Sequence, residues 1–178
     1  MRATRTYRPK RRTGNEAEQA LWRARDFYRG VVRPTVEEAF RNPRDIRRAR
    51  LAAIVLYHMA DYWLLKRKAS AALQGPGDLS KLHKDLIARC PEFLLVRDIA
   101  DASKHATLNV QRDIPRVLSG SDQVWRSPGI FGAPLGEGVF NEASVVECIL
   151  DDGTTRPVLG VIRAVADMWA AMVEPSAV

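Results

Sequence analysis

Apolar residues recur at helical spacing along most of the chain. Ala17, Ala20, Leu21, Ala24, Phe27, Tyr28 and Val31 share one helix face, which predicts a first helix over residues 15–29. Thr13 and Glu16 have the form of a capping pair at its start, and Gly30 and Pro34 are expected to break it. A short helix follows over residues 35–41. Asn42-Pro43 reads as a cap followed by a first-turn proline, opening a long helix that runs to about residue 73. Residues 51–65 of that helix are apolar on most sides, so it is expected at the centre of the fold. Gly75-Pro76-Gly77 closes it. Asp78 caps a shorter helix whose stripe is Leu79, Leu82, Leu86 and Ile87, with His83 facing solvent. Pro91 starts another helix, expected to end near residues 107–109.

After Asn109 glycine and proline become frequent. Residues 145–150 are rich in β-branched side chains, Asp151-Asp152-Gly153 supplies a turn, and residues 154–161 return as a second strand. Residues 161–173 resume helical spacing. Pro115, Pro128, Pro134 and Pro157 argue against a large continuous sheet. The predicted fold class is mainly α (α+β): a helical bundle with a C-terminal β-hairpin segment and a closing helix. Residues 1–13 form a basic flexible arm, 14–109 the bundle core, and 110–178 the hairpin-containing segment and closing helix of the same domain. Trp22, Trp63, Trp125 and Trp169 are expected as core anchors.

Charge adds a partner to this picture. The 178 residues carry 28 Lys and Arg against 21 Asp and Glu, a formal charge of +7. The excess is concentrated in the arm, with Arg8, Lys10, Arg11 and Arg12, and around Arg44, Arg47 and Arg48. Guanidinium forks suit phosphate oxygens, so these clusters point to RNA or another polyanion. No apolar run is long enough for a membrane span, and no secretory leader is recognisable. Cys90 and Cys148 are too few for a disulfide framework. A cytoplasmic protein with free thiols is expected.

Candidate chemistry gathers in two places. Arg97, Asp98, Asp101, Lys104 and His105 fall on one arc of the helix that follows Pro91, opposite Leu95, Val96, Ile99 and Ala102. On the long helix His58 lies in an apolar stripe with Asp61 three residues on, close enough to pair. If the two helices are neighbours, the groups converge. His105 could then move a proton, Arg97 could hold a phosphate, Lys104 could add a second positive charge, and Asp101 could orient His105. His58, Asp61 and Asp98 would support them from behind. The same imidazoles and carboxylates are acceptable ligands for a transition metal, an alternative reading, although no Glu-x-x-His pattern occurs. No cofactor motif is present. A plain solvated helix face, or a surface for a protein partner, would carry the same residues.

An arginine followed by a histidine late in a core helix of a small basic chain resembles the HEPN superfamily of prokaryotic ribonucleases and toxins, across an Arg–His spacing wider than the family's usual one. The resemblance covers residues 15–109. It implies RNA binding, a metal-independent endoribonuclease of a defence or toxin–antitoxin system, a homodimer, and Arg97 and His105 as the site pair.

Overall fold

Asn15 caps the first helix with its side chain, which accepts the amide of Glu18 at 2.9 Å. The computed structural model describes residues 15–70, 78–108, 113–127 and 145–174. Thr13 lies outside them. Helix α1 (Glu16–Phe27) does not stop at Gly30. It passes through one π-helical turn, Tyr28–Val32, straight into α2 (Arg33–Arg41). The wider turn accommodates Pro34, whose ring would clash with the preceding carbonyl in a regular helix. The expected break is therefore a local widening.

Asn42 closes α2 rather than opening the next helix. Its amide donates to the Ala39 carbonyl at 3.1 Å, and its side-chain nitrogen donates to the Glu38 carbonyl at 2.8 Å. The cap of α3 (Ile46–Ala69) is Asp45, which accepts the Arg48 amide at 3.1 Å. Lys66, Arg67 and Lys68 occupy the last turn of α3, where positive charge suits the helix dipole. Arg48 meets Glu38 near the connecting turn, and Phe27 stacks on Tyr62 further along, so α1–α2 and α3 run antiparallel.

Helix α3 is central, as its sequence predicted, and touches every other helix. Helix α4 (Asp78–Arg89) packs on α3 and α5 (Glu92–Ala102), while α6 (Val158–Val173) packs on α3 and α5 from another side. The fully buried Trp169 of α6 donates its indole N–H to the Leu56 carbonyl at 3.0 Å and meets Trp63 and Phe93 edge-on. The other tryptophans are less deep. Trp22 is 42% exposed, because its position on α1 turns away from α3. His83 faces inward rather than into solvent, between the rings of Tyr57 and Phe93. A flat ring fills that aromatic gap, which a local apolar stripe does not reveal.

The sheet has three antiparallel strands in the order β1 (Val124–Arg126), β2 (Val146–Ile149) and β3 (Thr155–Pro157). Strands β2 and β3 form the hairpin expected from sequence, with Cys148 opposite Arg156. Gly153 takes φ 85° in its turn, and Asp152 accepts the Thr154 amide at 2.8 Å. Strand β3 is shorter than expected because α6 begins at Val158. Strand β1 pairs Val124 with Cys148 and Arg126 with Val146. The sheet is tied to the bundle where the Val146 amide donates to the Pro43 carbonyl at 3.1 Å and Arg50 donates to the Ser121 carbonyl at 2.6 Å. Among the described residues no helix is long and apolar enough to cross a membrane.

Two outcomes follow from this packing. Trp169→Ala is expected to cost about 3–5 kcal/mol, read from urea unfolding, because it empties the contact of three helices. A loss near that of an exposed site would show that the indole is not an anchor. Burial pushes the Cys148 thiol up to about 11 from 9.0. The raised value means the thiol favours folding fully below pH 9, and that contribution fades as pH rises towards and through 11. Iodoacetamide at pH 8 should leave Cys148 unmodified in the folded chain, as mass spectrometry would register. Rapid labelling would contradict its burial.

Candidate functional site

Helix α5 is buried on all sides. Its apolar residues Phe93, Val96, Ile99 and Ala100 face the bundle, but Arg97, Asp98 and Asp101 are buried too. The polar arc is covered by residues 113–118, which cross it after the turn that ends α5. A charged arc can be covered only if its hydrogen bonds are met. Arg97 is 1% exposed and directs Nε to Asp98 Oδ1 at 2.9 Å and a terminal nitrogen to the Pro115 carbonyl at 2.9 Å. Asp98, fully buried, also accepts Arg116 on Oδ1 at 3.0 Å and the Val117 amide on Oδ2 at 2.8 Å. The other fork nitrogen of Arg116 reaches Asp101 at 3.0 Å. Two guanidiniums and two carboxylates thus alternate in one neutral network. Arg116 was not singled out by the sequence. It stands alone beside a proline in an irregular stretch, and only the carboxylate spacing on α5 hinted that a cation was needed.

Helix α5 ends at Ala102, before Lys104 and His105. The Ser103 hydroxyl donates to the Ile99 carbonyl at 2.7 Å, and the amides of Lys104 and His105 both reach the Asp101 carbonyl at 3.0 Å. This tight turn lifts Lys104 and His105 off the helical arc into exposed positions. Lys104 Nζ lies 3.0 Å from His58 Nε2. Candidate polar groups of the long helix and of the motif after Pro91 thus come together where His58 meets Lys104. Asp61 is exposed on α3. Arg97 is turned inward, so the five residues expected on one arc separate into a buried set and an exposed set. Among the described residues no three His, Cys, Asp or Glu side chains are placed to hold a metal ion.

A different convergence forms at the turn between α2 and α3. Arg44, Arg47 and Arg48 line an open groove of about 870 Å³, and Arg126 enters it from β1. The backbone explains why. Arg126 is paired with Val146, and the Val146 amide is held by the Pro43 carbonyl, so the strand pair delivers Arg126 beside Arg44. Asp45 is the one carboxylate in the lining. Arg48 is engaged by Glu38 at 2.9 Å and by Asp45 at 3.5 Å, while Arg47 stands 4.0 Å from Asp45. Arg44 and Arg126 have no ion-pair partner among the described residues. Periodicity could not find Arg126, because a three-residue strand has no pattern to read. Arg8, Lys10, Arg11 and Arg12 lie outside the described residues.

No protein-family model, curated protein or solved structure matches this chain.

Removing one member of the buried network strands a charge. Asp98→Asn leaves two guanidiniums facing one neutral amide and is expected to cost about 3–5 kcal/mol in urea unfolding. Glu37→Gln, at an exposed pair with Arg41, should cost under about 0.5 kcal/mol. Equal losses at the two positions would contradict the role assigned to Asp98.

Proposed function

We propose that this protein binds nucleic acid, RNA in the first instance, through the arginine groove between the α2–α3 turn and β1. The observation that carries the reading is the meeting of four guanidiniums from two distant parts of the chain, two of them without a carboxylate partner among the described residues. Like charges gather at a cost unless an anion offsets it, and the planar fork of arginine matches phosphate oxygens. The groove is open, as a site for a polymer must be. The positive charge of the whole chain would add steering at low salt. The resemblance to HEPN proteins points to the same class of partner.

The reading is binding without turnover. A ribonuclease built on Arg97 and His105 needs the arginine to reach a phosphate, and the Arg97 guanidinium is enclosed by Asp98 and Pro115. The contact of His58 with Lys104 is a feature that would serve acid–base chemistry.

Fluorescence anisotropy with a labelled RNA tests the interface. Arg44→Gln with Arg126→Gln should weaken binding and make the salt slope shallower by about 1.5 on logarithmic axes, the effect of two lost phosphate contacts. Unchanged affinity and slope in the folded double variant would remove the groove from the account. Total RNA incubated with the protein in EDTA should stay intact. Discrete cleavage that is lost in His105→Ala would replace binding by catalysis.

A further inference from the structure

The π-helical turn lines a second concavity, where α2 faces α6. A cleft of about 170 Å³ opens between this turn, α2 and α6. Tyr28, the first residue of the widened turn, lines it. Tyr28 as a whole is 6% exposed, and its hydroxyl makes no hydrogen bond to another described residue. Burial first, and the Glu174 carboxylate second, push the phenol's pKa up, so it stays protonated and able to donate.

The cleft's charged rim is regular. Arg33 and Glu37 stand four apart on α2, and Arg163 and Asp167 stand four apart on α6. Glu37 is engaged by Arg41 at 3.2 Å and lies 3.9 Å from Arg33. Arg163 rests over the Phe40 ring at 4.2 Å, and neither it nor Asp167 has an ion-pair partner within 4.0 Å among the described residues. A guanidinium and a carboxylate, neither in an ion pair among the described residues, therefore border a pocket with an apolar wall and a hydroxyl that bonds no other described residue. Two facing helices with opposite charges at one gap would ordinarily close it by pairing across. Here the gap remains open, and its volume is close to the roughly 150 Å³ that holds a benzene-sized molecule.

We infer that this cleft binds a small zwitterion, a free α-amino acid with an aliphatic side chain. Its carboxylate meets Arg163, its ammonium meets Asp167, the Tyr28 hydroxyl donates to the carboxylate, and the side chain lies on Val32 and Val36. The inference is independent of the nucleic-acid groove, which lies at the α2–α3 turn and uses none of these residues. Because α2 runs directly into that turn, a ligand here would brace the helix that leads to the groove.

Calorimetric titration of the full chain with L-valine and with L-leucine tests it. Saturable heat is expected, with at least about tenfold weaker binding for isobutylamine and for isovaleric acid, each of which lacks one charge. Asp167→Asn and Tyr28→Phe should each weaken amino-acid binding by about tenfold while circular dichroism stays unchanged. Asp167 is exposed and makes no hydrogen bond or ion pair among the described residues, so its variant separates binding from folding. Absence of heat with either amino acid at millimolar concentration would overturn the inference. So would equal binding of the amine alone, or binding that survives both substitutions.

Discussion

A single buried carboxylate, that of Asp98, sets the order in which this chain can pack. It sits on the face of α5 that residues 113–118 cover, out of reach of water, and a lone charge there would cost several kcal/mol. Three hydrogen bonds, from Arg97, Arg116 and the Val117 amide, satisfy it. Those partners come from two segments nearly twenty residues apart, so satisfying Asp98 requires residues 115–117 to lie across α5. From Val117 the constraint continues. Its carbonyl accepts the Asp151 amide at 3.0 Å, which locates the β2–β3 turn, and Gln123 bridges to the Ile149 carbonyl and Asp151 at 2.9 Å. The sheet so placed carries Arg126 to the turn between α2 and α3. A charge in the core and a groove on the surface are thus linked through successive side-chain and backbone hydrogen bonds.

Replacing the network with apolar side chains of similar volume could give equal stability, since a buried ion pair gains little over good packing. What the ions add is selectivity between alternatives. An apolar cover could slide along α5, whereas the Pro115 carbonyl, the Arg116 fork and the Val117 amide have one register against Arg97, Asp98 and Asp101. Close to this network, Gly120 allows the chain to approach the end of α5. A Cβ there would stand 3.3 Å from the Ala106 carbonyl and 2.5 Å from the Asp122 carboxylate. The bridge between Thr107 and Gly120 needs that clearance.

Much of the helical layout was legible because burial of one face imposes a local period. The stripe along α1, the apolar breadth of α3 and the hairpin turn at Asp151-Asp152-Gly153 all appear in the structure where the pattern placed them. What the pattern misassigned came from distant partners. Asp98 and Asp101 looked like an outer face because nothing within a helical turn announces Arg116. His83 looked solvent-facing because its neighbours Tyr57 and Phe93 belong to other helices. The candidate site was legible in part. Arg44, Arg47 and Arg48 form a visible cluster, but Arg126 joins them only through strand pairing. Lys104 and His105 left the predicted arc because α5 ends at Ala102, about five residues or more before the expected end, a matter of how its last carbonyls are met.

The account turns on Asp98 as the link between α5 and the sheet, and on the sheet as the support of the proposed nucleic-acid interface. Amide hydrogen exchange, resolved residue by residue, measures that link directly. In the wild-type chain the Val117, Asp151 and Cys148 amides should exchange slowly. In Asp101→Asn, which weakens Arg116 but leaves Asp98 in place, Val117 should lose protection and the Asp151 and Cys148 amides should follow, while α3 stays protected. If Val117 exchanges freely in the wild type, or if the sheet keeps its protection after Val117 has lost its own, the sheet is held by other contacts and the claim fails.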